Sequence, residues 1–91
     1  MPNKDKIRKL EIRKNELVRN IHTCGYHKKK ITNLVSELIN QYHNDRISYN
    51  EYSRRISASL DNKSPEEWIR YYDDKIRDYN EQINRINEEI K

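Results

Sequence analysis

Apolar side chains recur every three or four residues in the last third of the chain. A helix start precedes them: Ser64 can accept a hydrogen bond from a first-turn amide, Pro65 fits the first helical position, and Glu67 lies three residues after Ser64. The apolar positions are Ile69, Tyr72, Ile76, Tyr79, Ile83, Ile86 and Ile90. Their steps alternate between three and four residues, which is a heptad repeat. So narrow a stripe predicts a helix over residues 65–91 that pairs with a partner helix.

A second heptad stripe predicts one long helix over residues 4–43. Its positions are Ile7, Leu10, Lys14, Leu17, Ile21, Cys24, Lys28, Ile31, Val35, Leu38 and Tyr42. Gly25 costs about 1 kcal/mol relative to alanine inside a helix, but the stripe keeps its phase across Gly25, so we expect a continuous helix. Lys14 and Lys28 are polar at stripe positions, where such residues set register at a cost in stability. We therefore expect Lys28→Leu to raise thermal stability and to loosen register or oligomeric state.

Between these two helices, the residues predict a short third helix over 48–60. Ser48 and Glu51 have the spacing of a capping box, and apolar residues at 49, 52, 56 and 60 share one face. Short connections make neighbouring helices antiparallel. The predicted fold is therefore all-α, a single domain over residues 1–91: a long, coiled-coil-like antiparallel helical hairpin with the short third helix at its tip. We expect Trp68 and Tyr71 to join the aromatic residues of that tip.

The register between the long helices follows from placing Ile69 opposite Tyr42. Ile90 then lies opposite Ile21, and Lys28 lies near Ile83 with Glu81 able to receive its ammonium group. In this register, Ile7, Leu10 and Leu17 overhang without a partner in the chain. The last helix reaches Lys91 with its heptads in phase and no capping glycine. Either the chain continues beyond Lys91 or the overhanging ends associate between molecules.

These patterns favour a non-enzymatic interaction or assembly module whose partner is itself or another helical protein. An isolated pair of helices is marginally stable in water, which also favours a partner. The residues expected to form the partner or assembly seam are Ile7, Leu10, Leu17, Ile69, Tyr72, Ile76, Tyr79, Ile83, Ile86 and Ile90.

Composition narrows the class of protein. Apolar residues make up 33% of the chain, too few for a large globular core. One Gly and two Pro among 91 residues argue against hairpins and sheets. The single cysteine cannot form an internal disulfide, and no apolar run approaches the length of a membrane span. We therefore expect a cytoplasmic protein, with binding to membranes disfavoured.

The charges are unevenly distributed, and this leaves two interpretations open. Residues 1–30 contain ten Lys/Arg and three Asp/Glu, whereas residues 31–91 contain nine and twelve. One interpretation is that the basic first helix pairs with the acidic flank of the last helix, as flanking charges do in coiled coils. The alternative is a small basic nucleic-acid-binding accessory protein. Its expected anion-binding residues are Lys4, Lys6, Arg8, Lys9, Arg13, Lys14, Arg19, Lys28, Lys29 and Lys30.

Residues capable of catalysis or metal binding occur without the partners that such sites need. Cys24 and His27 lie three residues apart with His22 nearby, but structural zinc requires four ligands. The carboxylates Asp73, Asp74 and Asp78 lie on a helix surface, where no pocket would separate their pKa values. We therefore expect no catalytic residues, no metal site, no cofactor and no small-molecule substrate.

The segment Asp45-Arg46-Ile47-Ser48-Tyr49-Asn50-Glu51-Tyr52, continued to Leu60, resembles the short helical SHOCT-type motif. That motif combines a turn, an isoleucine, a serine or threonine cap, an acidic residue, an aromatic residue and a leucine. The resemblance covers about sixteen residues, 45–60. It implies a small helical oligomerisation or interaction element and brings no catalytic residues with it.

Overall fold

Three α-helices account for nearly all of the computed structural model, which describes residues 3–91. They are α1 (Lys4–His43), α2 (Tyr49–Ser59) and α3 (Pro65–Ile90), and there is no strand between residues 3 and 91. The long helix α1 packs against α3 as an antiparallel hairpin. The predicted all-α helical hairpin is confirmed, and α1 passes through Gly25 as one continuous helix.

Side-chain caps begin all three helices. The Ser48 and Ser64 hydroxyls accept hydrogen bonds of 3.1 Å from the amides of Glu51 and Glu67, and Asn3 Oδ1 accepts one of 2.9 Å from Asp5. Each bond satisfies one of the amides that a first helical turn leaves unpaired. The Glu51 carboxylate does not complete a reciprocal box, because it binds two arginines instead.

Helices α1 and α2 both end in a left-handed residue that is not glycine. Asp45 has a φ of 58° and Asp61 a φ of 54°. The next amides, those of Arg46 and Asn62, donate back to the carbonyls of Gln41 and Ser57 at 2.9 and 2.8 Å. This six-to-one bond identifies a Schellman motif at each end, and it allows a sharp turn in a chain that has one glycine.

Helix α2 lies along the last turns of α1 and approximately in line with α3. Arg55 Nη1 donates to Gln41 Oε1 at 3.3 Å, and the rings of Tyr52 and Tyr42 are 6.0 Å apart. Leu60, the C-cap of α2, is buried. Both α2 and α3 therefore run antiparallel to α1, and they cover successive lengths of it.

The observed register differs from the predicted one. Lys28 forms an ion pair with Asp73 instead of lying near Ile83, and the imidazole of His27 stacks on the Tyr72 ring at 5.2 Å. The predicted pairing of Ile69 with Tyr42 was wrong because α2 occupies that part of α1. As a result α3 begins nearer the middle of α1.

The predicted overhang was wrong for Leu17. Arg13 Nη2 lies 3.4 Å from Gln82 Oε1, so α3 extends back along the first turns of α1. Leu17, expected to lack a partner, is fully buried. Ile7 and Leu10 are half-buried rather than free.

The core is a single thin layer between two helices. Among residues 3–91, six apolar side chains are buried: Leu17, Cys24, Ile31, Leu38, Leu60 and Ile86. The principal dimensions are 66 × 16 × 16 Å and the radius of gyration is 19.4 Å, against about 12 Å for a compact chain of this length. The molecule is a rod two helices thick. None of the helices within residues 3–91 is both long and apolar enough to cross a lipid bilayer.

Candidate interaction surfaces

None of the ten residues predicted to form a partner seam is fully exposed. Only Leu17 and Ile86 are buried, and the others remain half-buried: Ile7, Leu10, Ile69, Tyr72, Ile76, Tyr79, Ile83 and Ile90. Two helices cannot enclose a stripe whose flanks face solvent on both sides of the rod. The hairpin therefore buries the seam only in part.

The basic residues predicted to bind anions do not form one group. Lys14 and Lys28 are half-buried at the helix contact, and Lys28 is occupied by Asp73. Arg13 contacts Glu16 at 3.2 Å and Gln82 at 3.4 Å. Lys4 and Lys6 are exposed in the first turns of α1. The remaining five are exposed along α1: Arg8, Lys9, Arg19, Lys29 and Lys30.

One exposed stripe of α1 faces away from α3, and the exposed carboxylate of Glu11 lies at its edge. We call it the outer ridge, and its residues, at steps of three and four, are Arg8, Ile12, Asn15, Arg19, His22, Tyr26, Lys29 and Asn33. Lys9 and Lys30 lie directly beside it. Each ridge residue is two positions from a stripe residue such as Leu17 or Cys24, about 200° around the helix. The ridge is therefore the back of α1.

The back of α3, in contrast, has more exposed carboxylates than cations. Its exposed residues, at the same spacing, are Glu67, Arg70, Asp74, Arg77, Glu81, Asn84 and Glu88. Arg77 is paired with Asp74 at 2.8 Å within the helix. The predicted pairing of basic α1 with acidic α3 is found at Lys28 and Asp73, and residues 3–91 show no other ion pair between helices. The rod therefore has one basic and one acidic long side.

The junction between α2 and α3 is held by Trp68. Its indole Nε1 donates a hydrogen bond of 2.7 Å to the carbonyl oxygen of Leu60, and the Lys63 ammonium lies 4.7 Å from the centre of the ring system. Trp68 also stacks on Tyr72 at 6.1 Å. These contacts correct the predicted single aromatic cluster: Trp68 packs in mid-rod with Tyr71, Tyr72 and His27, apart from the tyrosines of the tip.

An open groove of about 420 Å³ lies beside this junction. Its floor is apolar, formed by Ile31, Leu60 and Trp68, and Lys30 and Asp61 lie at its rim. Such a groove suits an apolar or aromatic side chain of a partner.

Two lysine–aromatic contacts of this region were not predicted from the sequence. Lys75 lies 5.1 Å from the Tyr71 ring and Lys63 lies 4.7 Å from Trp68. The tyrosine hydroxyl beside it raises the pKa of the Lys75 ammonium. The four-residue spacing of Tyr71 and Lys75 is a signal that could have identified the first contact. The second depends on the turn between α2 and α3.

The residues considered for metal binding are separated by their positions on α1. Cys24 is buried in the helix contact, while His22 is exposed on the outer ridge. His27 is half-buried and stacks on Tyr72. Across residues 3–91, no three His, Cys, Asp or Glu side chains come together as a metal-binding group.

Comparison with known proteins found no relative of this chain. No family model, no curated protein and no solved structure matches the chain.

Proposed function

We propose that this chain is a non-enzymatic helical assembly module that associates lengthwise with a second copy of itself. The supporting observation is the incomplete burial of the seam, because eight of its ten residues stay half-buried in the isolated rod. A second helical layer against one side would complete their burial. Each additional Å² of apolar surface removed from water contributes about 25 cal/mol.

The accessible surface supports the same proposal. It amounts to 7224 Å², whereas a compact monomer of this mass exposes about 5,700 Å². A standard stable interface buries about 800 Å² on each partner. A dimer of that size would bury, on each copy, roughly half of the accessible surface that exceeds the value for a compact monomer. This added burial is large relative to the small core of the protein.

We assign the contact to the side of α1 that contains Val18, Gly25 and Ile39, which are spaced by seven or fourteen residues. Val18 is 38% exposed and Ile39 is half-buried. Apart from its chain neighbours and the surrounding turns of its own helix backbone, a Cβ built on Gly25 would meet no described atom within 4 Å, so packing within the rod does not require a glycine there. A glycine on this side leaves room for the backbone of a neighbouring helix to approach closely.

The test is sedimentation equilibrium of the full chain and of Val18→Glu. We expect a dimer that Val18→Glu converts to monomer, because a carboxylate would be buried without a partner. Ile12→Glu is the matched control: it places the same charge on an exposed apolar residue of the same helix, but on the outer ridge. We expect it to leave the dimer intact. A full chain that remains monomeric at every concentration would overturn the proposal.

The proposal also includes a role for segment 45–60 and a cellular location. The resemblance to SHOCT-type motifs supports an interaction role for α2, whose Tyr49 is 61% exposed. We propose a cytoplasmic location because the lone Cys24 offers no disulfide framework.

A further inference from the structure

We propose that the outer ridge of α1 binds double-stranded nucleic acid through its phosphate backbones, without reading base sequence. The proposal goes beyond self-association and does not depend on it. The ridge and its border supply five exposed cations, Arg8, Lys9, Arg19, Lys29 and Lys30, against one exposed carboxylate between residues 8 and 33, Glu11. Neutralising phosphates and releasing their counterions is the main source of sequence-independent affinity for nucleic acid.

These cations are available to a ligand. None of the five forms an ion pair within the part of the chain that the structure describes. Glu16, the carboxylate nearest the middle of the ridge in sequence, is engaged by Arg13 at 3.2 Å. The Lys30 ammonium lies 5.4 Å from the centre of the Tyr26 ring, and that contact leaves its charge in place.

The spacing of the cations favours a duplex. They form three groups, residues 8–9, 19 and 29–30, and successive groups are separated by about 16 Å along a helix that rises about 1.5 Å per residue. One turn of duplex DNA spans about 34 Å and contains two backbones, so a straight rod along its axis meets a backbone about every 17 Å on average. Because α1 is a continuous helix held straight against α2 and α3, all three groups can meet phosphates together.

The residues between the cations fit phosphates and sugars better than a lipid surface. Asn15, His22 and Asn33 donate hydrogen bonds, which suits phosphate and sugar oxygens. Ile12 and Tyr26 are the only large apolar side chains on the ridge, at 53% and 60% exposure. A helix that lies in a membrane interface needs a continuous apolar face, and the apolar face of α1 is already packed against α2 and α3.

The experiment measures binding of a labelled mixed-sequence duplex of about 30 base pairs by fluorescence anisotropy, over a range of salt concentrations. We compare wild type, Arg8→Gln/Arg19→Gln and Lys29→Gln/Lys30→Gln with Arg70→Gln/Arg85→Gln. The last variant removes the same charge from exposed residues of α3. Circular dichroism establishes that each variant is helical. Two ridge variants keep the test usable if one of them fails to fold.

For five phosphate contacts, the logarithm of the association constant should fall with the logarithm of salt concentration with a slope of about −4.5. Each ridge variant should reduce the magnitude of this slope by about 2 and lower the affinity about tenfold or more at about 0.1 M salt. The α3 variant should change neither. This pattern would support the assignment of the ridge.

Several outcomes would overturn the proposal. They are no duplex binding at low salt, equal losses from the ridge and α3 variants, or equal affinity for a single strand of the same length. Tighter binding to phosphatidylserine vesicles than to the duplex would show instead that the ridge serves a membrane surface.

Discussion

The indole nitrogen of Trp68 donates a 2.7 Å hydrogen bond to the carbonyl oxygen of Leu60. This bond joins the first turn of α3 to the C-cap of α2 across a turn of four residues. Leu60 is buried against α1. The pair therefore fixes where α3 begins along α1, and with it the register of the whole hairpin.

Replacing Trp68 with phenylalanine should destabilise the chain by about 1–2 kcal/mol. The change removes one hydrogen bond, worth about 1 kcal/mol, and part of a large packed ring. Urea denaturation followed by circular dichroism measures the loss. Tyr49→Phe is the control, because Tyr49 is 61% exposed at the tip and its hydroxyl should contribute little. Equal stabilities of Trp68→Phe and wild type would show that the junction is held by other contacts.

Asp61→Gly should stabilise the chain by about 0.5–1 kcal/mol. Asp61 has a φ of 54°, a left-handed conformation that costs most residues free energy and glycine almost none. Within the described residues 3–91, the Asp61 side chain forms no hydrogen bond or ion pair that the change would remove. Thermal melts provide the measurement. Asp78→Gly, in the interior of α3, should instead lower stability, and a drop for both variants would contradict the argument.

Gly25→Ala separates the stability of the rod from its assembly. Because the new methyl group would meet no described atom within 4 Å beyond its own helix backbone and chain neighbours, alanine should stabilise the monomeric rod by about 1 kcal/mol through helix propensity. The same methyl group should weaken the proposed dimer, because it occupies the space left for a neighbouring helix. Melting at low protein concentration and sedimentation at high concentration measure the two effects. Stronger association of Gly25→Ala would place the dimer contact elsewhere.

Lys28→Leu should raise the melting temperature. The ion pair of Lys28 with Asp73 is partly exposed, with side-chain exposures of 33% and 52%, and such pairs contribute about 0–1 kcal/mol. A leucine at this heptad position would gain apolar burial that exceeds this loss. Asp73→Asn serves as the control, since it removes the ion pair without adding apolar surface. A lower melting temperature for Lys28→Leu, with the oligomer unchanged, would refute the prediction.

Glu51→Gln should remove a pH-dependent contribution to stability. The Arg55 guanidinium donates to the Glu51 carboxylate at 2.8 Å, and together with Arg54 it holds the pKa of that carboxyl below its ordinary value. A carboxyl with a lowered folded-state pKa stabilises the fold above its unfolded pKa, and this contribution disappears as the pH falls through the folded pKa. Melting temperatures of the two proteins should therefore differ at neutral pH and converge below about pH 4. A constant difference would show that Glu51 acts through packing.

The candidate surfaces were only partly predictable from the sequence. The seam residues could be identified because a heptad stripe marks the face that a helix buries. The outer ridge could not be predicted as a separate surface, because the sequence does not show which of the ten basic residues of α1 contact α3. In the structure Lys14 and Lys28 are half-buried, and Lys28 is paired with Asp73. Arg13 contacts Gln82 of α3.

Three helices, the serine N-caps of α2 and α3, and the continuity of α1 through Gly25 followed from the sequence alone. They depend on local signals, namely a serine three residues before a glutamate or an unbroken heptad phase, and local hydrogen bonds and propensities decide them. Register did not follow, because a heptad stripe can pair with another at several offsets of similar apolar content. Only the placement of α2 along α1, with Trp68 bonded to Leu60, selected one offset. That choice buried Leu17 and left the back of α1 as an exposed basic surface.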